Sequence, residues 1–163
     1  MVLIVAEKNL ISFIYNARLN SSKELALEII EKLDLHETSW LSSAGDLASH
    51  EIQLSNTRIA VIIGGDGTIL RSTRILSPHG IPVVGVKMGK VGFMAELNPI
   101  EVFEKLPRFL DPENISTGSI RTESRMMLEA NITSDNSNDS RMTIHALNDV
   151  TVGTSQTARL VEL

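Results

Sequence analysis

The sequence contains no cysteine, which excludes disulfides and thiolate-bound metals. Aromatic side chains are scarce: one Trp, one Tyr and four Phe in 163 residues. A core must therefore come from Ile, Leu, Val and Met, and a hydrophobic content of 42% supplies enough of them. Positive charge is not in excess. Lys and Arg total 15 against 20 Asp and Glu, a formal net charge of -5. That balance argues against sequence-independent binding to nucleic acid through phosphate neutralisation, but not against a small phosphorylated ligand, which needs only local donors. No apolar run reaches transmembrane length, and the opening "MVLIVAEKNL" lacks a basic n-region and the apolar length of a signal peptide. These absences lead us to expect a soluble cytoplasmic protein of one domain, or of one domain and part of another. His36, His50, His79 and His145 have no metal-ligand spacing.

The pattern that remains is α/β and then β. Val2 to Ala6 reads as a buried strand, and Ile59 to Ile63 and Ile81 to Val86 as two more, with Pro82 near the start of the last. Ser21 and Glu24 have capping-box spacing, and Leu25, Ala26, Ile29, Ile30 and Leu33 keep one helical face after them. "SSAGDLAS" (Ser42 to Ser49) reads as a loop or short helix. A short helix is expected from Thr68 to about Leu76, stopped by "SPHG". Asn98 as N-cap with Pro99 at the first position predicts another helix, which Asp111 and Pro112 end. Beyond Gly118 the period changes to two. Met126, Leu128, Ala130 and Ile132 alternate, and so do Met142, Ile144, Ala146, Val150 and Val152, with a hairpin-like "SDNSND" (Ser134 to Asp139) between them. Ala158 to Leu163 starts a further strand. Residues 1–118 therefore read as α/β with a parallel sheet, and 119–163 as the beginning of an antiparallel β domain. So few strands leave a sheet face uncovered, and the expectation is a fragment or a chain that depends on a partner.

The most informative stretch is "VIIGGDGTILRS", Val61 to Ser72. Glycines at the carboxyl end of a buried strand let backbone N–H groups approach a phosphate, and a helix that follows adds a partial positive charge. Asp66, in the middle, is itself an anion. It has three physical readings: an N-cap for the next helix, a ligand to a divalent cation that bridges phosphates, or a general base for a hydroxyl that receives phosphate. The stretch is not a P-loop, since G-x-x-x-x-G-K-[ST] is absent, and it lacks the G-x-G-x-x-G dinucleotide spacing.

"GGDGT" resembles the loop shared by NAD kinases, diacylglycerol and sphingosine kinases and, more loosely, phosphofructokinases. "GVKMGKVGFMAEL" (Gly85 to Leu97) is similar to the second NAD kinase motif, G-x-N-x-G-x-x-G-F-L. "TESRMMLEA" (Thr122 to Ala130) is similar to that family's E-x-R-x-x-L segment, and "ALNDV" (Ala146 to Val150) to its A-[LI]-N-[ED]-V. All four occur in the family's order, so the resemblance to NAD kinase covers nearly the whole chain. It implies an N-terminal Rossmann-like parallel sheet with helices, followed by the start of an antiparallel β-sandwich domain.

The resemblance also implies roles. The activity would be transfer of the terminal phosphate of ATP, or of polyphosphate, to the adenosine-ribose 2′-hydroxyl of NAD, giving NADP. Asp66 matches the proton acceptor and, with Gly67, an NAD contact. Gly64, Gly65, Gly67 and Thr68 would face the phosphate donor. Asn148 and Asp149 match the Asn-Glu pair that binds NAD, while Arg159 and Arg71 match further NAD contacts. Magnesium usually accompanies the nucleotide; no metal ligand is singled out. The intact protein is expected to be a homo-oligomer without nucleic-acid or membrane partners. Bland alternatives stand beside these roles: Asn148 counts onto the apolar face of its strand, Asp149 reads equally as a solvent-facing residue, and Arg71 and Arg74 as the solvated face of a short helix. Two departures stand out. Lys87 replaces the usual Asn, and an ammonium could hold a phosphate as a point charge. Asp149 replaces the commoner Glu. The family's later T-P-T-G-S-T-A-Y segment lies beyond Leu163, so little or no kinase activity is expected of residues 1–163 alone. The alternatives are a lipid or sugar kinase with the same loop, or a non-catalytic NAD- or nucleotide-binding fragment.

Overall fold

An unbroken apolar run such as Ile59–Ile63 suits a strand covered on both faces. It forms the centre of strand β3 (Thr57–Gly64) in a computed structural model that describes residues 8–89, 93–133 and 142–153. Beside β3 lie β1 (Leu10–Tyr15) and β4 (Val83–Lys87), and β2 (Ser39–Ser43) lies beyond β1. All pairings are parallel, in the order β2-β1-β3-β4.

Parallel neighbours need crossovers, and helices provide them. Helix α1 (Asn20–Lys32) joins β1 to β2, α2 (Glu51–Ser55) lies between β2 and β3, and α3 (Asp66–Leu76) joins β3 to β4. Two further helices follow, α4 (Val102–Leu110) and α5 (Pro112–Ser116). The sheet is sandwiched. Ile11, Phe13, Val61, Ile63, Val84 and Val86 pack with residues of α1 and α4 on one face, while Ile14, Ala60 and Ile62 pack with α2 and α3 on the other. Each fully buried Ile, Leu or Phe contributes about 1.5–3 kcal/mol. No helix among the described residues is long and apolar enough to cross a membrane.

The chain divides into two units, Met1–Glu123 and Ser124–Leu163. In the second, β5 (Leu128–Ile132) and β6 (Met142–Ala146) form an antiparallel pair. Leu128 faces Ala146, Ala130 faces Ile144 and Ile132 faces Met142, the pairing that the two alternations call for.

Several local expectations are corrected. The first described strand, β1, follows the expected Val2–Ala6 strand, which lies outside the described residues. β2 includes Ser42 and Ser43, where the sequence suggests a loop or short helix; only Trp40 and Leu41 give it bulk, and the Trp40 indole N–H is tied to Thr57 Oγ1 at 2.9 Å. Ser21 caps nothing. The N-cap of α1 is Leu19, without a side-chain bond, because Ser22 is the buried serine and its hydroxyl bonds the turn from Asn16 to Leu19. Asn98 does accept from the N–H groups of Ile100 and Glu101, but these belong to a turn, and α4 starts only at Val102. Asp111 and Pro112 end α4 and at once begin α5, with Asp111 accepting from Glu113 N–H. β4 begins at Val83, after Pro82, whose carbonyl accepts from Ala60 N–H. β6 stops at Ala146, so Val150 and Val152 do not continue it. The Ser134–Asp139 connection and the expected strand from Ala158 lie outside the described residues.

Candidate functional site

The order β2-β1-β3-β4 reverses direction between β1 and β3. From there the chain winds outward both ways, and ligands of open α/β sheets bind beyond the carboxyl ends at such a point. Gly64 ends β3 at this point, Gly65 is the N-cap of α3 and Asp66 is its first residue. Beside them β1 ends at Tyr15, and the N–H of Asn16 donates to the Ile63 carbonyl at 3.3 Å.

The three glycines differ in what they permit. A Cβ on Gly64 would lie 2.5 Å from Thr68 Oγ1 and 2.8 Å from Thr68 Cβ, so the fold itself requires glycine there. Thr68 is buried against it. A Cβ on Gly65 or Gly67 would meet no atom within 4 Å, and neither residue has the positive φ that favours glycine. Neither internal packing nor a positive φ therefore requires glycine at 65 or 67. The bare main chain there opens outward.

Asp66 is not the N-cap of α3. Its carboxylate turns away from its own helix and accepts from two main-chain donors of the second motif, Phe93 N–H at 3.1 Å and Met94 N–H at 3.3 Å. Sequence reasoning gave no sign of this tether, because the donors are backbone groups 27 and 28 residues away. The second motif is bound to the first elsewhere too. Lys87 pairs with Gly64 in the ladder, and Met88 N–H donates to the Gly64 carbonyl at 3.2 Å. A Cβ on Gly85 would lie 2.8 Å from Ala95 Cα and 3.0 Å from Ile69 Cδ1, so this glycine lets the returning chain and α3 close over β4. Glu96 accepts from Gly85 N–H at 2.7 Å, and Leu97 forms a parallel bridge with Val86.

Gly64, Gly65, Asp66, Gly67 and Thr68 thus come together in one loop and helix start. Arg71 and Arg74 are exposed on α3. Asn148 and Asp149 lie in the second unit, after the end of β6 rather than on its apolar face, and both are exposed. The Asn148 amide donates to Asp149 Oδ2 at 2.8 Å, so the two polar ends are held side by side. Arg159 lies outside the described residues. On the β5–β6 pair, Glu129 receives hydrogen bonds from Asn131 and His145, which hold its carboxyl below the usual carboxylate range. No three His, Asp or Glu side chains converge as a metal cage among the described residues.

Comparison with known proteins gives these residues a context. Residues 19–114 match the family model described as the ATP-NAD kinase N-terminal domain. The chain is 34% identical over 161 residues to an NAD kinase of Heliobacterium modesticaldum, covering 89% of this chain and 53% of that protein. It is 36% identical over 121 residues to an NAD kinase of Natranaerobius thermophilus, covering 74% and 39%. A third relative, an NAD kinase of Symbiobacterium thermophilum, is 31% identical over 162 residues, covering 91% and 54%. The chain spans about half the length, or less, of these curated relatives.

Proposed function

The chain belongs to the ATP-NAD kinase family, and from that premise we propose that the intact protein phosphorylates NAD. The terminal phosphoryl group of ATP, or of polyphosphate, moves to the adenosine-ribose 2′-hydroxyl, giving NADP and ADP or a shortened polyphosphate. The observation that carries this reading is the pair Gly65 and Gly67. Neither is required by packing or by backbone conformation, and both leave main chain bare at the carboxyl edge of the sheet. A phosphate that approaches closely is a physical reason for both.

In this reading Gly64, Gly65, Gly67 and Thr68 form the donor side. Asp66 accepts the proton of the 2′-hydroxyl while the new O–P bond forms and the phosphoanhydride bond breaks. The tether to Phe93 and Met94 supports that role by fixing where the carboxylate sits. Asp66, Gly67 and Arg71 are proposed as NAD contacts of the first unit, and Asn148, Asp149 and Arg159 as NAD contacts of the second. Magnesium keeps several waters and takes one or two carboxylates beside phosphate oxygens. Asp66 is the carboxylate of this loop and would be the group beside an ion carried in with the donor phosphates; among the described residues no three-ligand cage converges. Bound in that way the ion would neutralise phosphate charge. A cytoplasmic homo-oligomer is the setting proposed for the intact protein.

The test is NADP formation from NAD with ATP and, separately, with polyphosphate. Replacing Asp66 by Asn in the intact protein should abolish most turnover while NAD binding is largely retained. Unchanged turnover overturns the general-base assignment.

A further inference from the structure

We propose that Lys87 is a phosphate-donor anchor, an inference that rests on the kinase reading above. Lys87 is the last residue of β4 and pairs with Gly64, the last residue of β3. Strand alternation fixes its face. Val84 and Val86 belong to the core on the α1 and α4 side, whereas Val83 packs on the α3 side and Gly85 adjoins Ile69 of α3. Lys87 follows 83 and 85 onto the α3 side. At the end of the strand, its stem starts beside the glycine loop from which α3 begins.

The base of this side chain is fixed and its tip is not committed. Lys87 N–H donates to the Leu97 carbonyl at 2.8 Å, and the residue is half-buried. Ion pairs among the described residues, such as those of Lys32, His79 and Lys105, do not involve Lys87. Asp66, the nearby carboxylate, is engaged by Phe93 and Met94 instead. A half-buried cation with no ion pair among the described residues, paired with Gly64 at the strand end that leads into the open main chain of Gly65, suits a polyanion. The Asn that resemblance expects here both donates and accepts. An ammonium only donates, which fits it to phosphate oxygens.

ATP and inorganic polyphosphate share that phosphoanhydride chemistry, so the experiment uses both. In the intact protein, binding of inorganic tripolyphosphate is measured by calorimetry for wild type, Lys87→Met, Lys87→Asn and Lys87→Arg, together with the KM for ATP, polyphosphate and NAD. Loss of one charge-assisted hydrogen bond should weaken tripolyphosphate binding about tenfold in the Met and Asn variants, with recovery in the Arg variant. The donor KM should rise with them while the KM for NAD stays unchanged. A rise confined to polyphosphate identifies it as the anchored donor, and a rise with both assigns the shared triphosphate. Tripolyphosphate affinity that is absent in wild type, or unaltered in folded Lys87→Met and Lys87→Asn, overturns the anchor. The two readings fail separately. Lys87-dependent tripolyphosphate binding without NADP formation sinks the kinase and keeps the anchor, whereas NADP formation with an unmoved donor KM does the reverse.

Discussion

At the scale of single residues, adjacent glycines of one motif answer to different constraints. Gly64→Ala would drive a methyl group into Thr68, which is buried in the first turn of α3. Overpacking of this kind costs about 1–3 kcal/mol, and urea denaturation should register it. Gly67→Ala meets open space within a helix, where Ala is favoured over Gly by about 0.5–1 kcal/mol. The Gly67 variant should therefore be as stable as wild type or more so, yet poorer in phosphoryl transfer. Full activity in it would remove the ligand's claim on that glycine. The motif itself was legible because glycines, Thr and Asp after a buried strand form a local pattern. The tether of Asp66 was not legible, because main-chain donors carry no residue identity.

At the scale of elements, the helices with a strong apolar stripe were found and their starts were misplaced. α1 kept its buried face at Leu25, Ala26, Ile29 and Ile30, but its N-cap is a leucine that no capping rule selects. Leu19 has the extended backbone of an N-cap and is partly exposed. Leu19→Ser should then stabilise the protein by about 0.5–1 kcal/mol in thermal or urea unfolding. The start of α4 carries a pH signature. Glu101, its N-cap, is held below the usual carboxylate range mainly by the hydrogen bond from Lys105. A depressed folded-state pKa gives stability that is present above the ordinary carboxylate pKa and lost as pH falls through the folded value. Lys105→Met should flatten that acid limb of the stability profile, and the difference from wild type should vanish at the lowest pH. Strands β1 and β2 escaped sequence reading for a compositional reason. Ser12 interrupts β1, and serines make up most of β2, so neither shows an apolar run or clean alternation.

For the molecule as a whole, the two units differ in how much their described strands bury. β1 and β3 are buried along most of their length, while Leu128, Ile132 and Met142 of the β5–β6 pair are each about half exposed. A two-stranded pair is marginal in water, whereas a sheet covered on both faces opens only with the whole domain. Hydrogen exchange on residues 1–163 should find the slowest amides in β1 and β3 and the fastest strand amides in β5 and β6. Equal protection in both would contradict the assignment of stability to the sandwiched sheet. The division into α/β and antiparallel character was readable from the change of hydrophobic period. Strand order was not, because register and neighbours depend on long-range pairing.

The bonds from Phe93 and Met94 to Asp66 have an experimental consequence. Since the donors are peptide N–H groups, no ordinary side-chain replacement at 93 or 94 deletes them, even though Phe93 itself is 91% exposed. Alanine at 93 or 94 would pass over the contact without a signal. Proline is the one encoded residue that removes the proton, so Phe93→Pro, set against Phe93→Ala, makes the link between two distant stretches of sequence a measurable quantity.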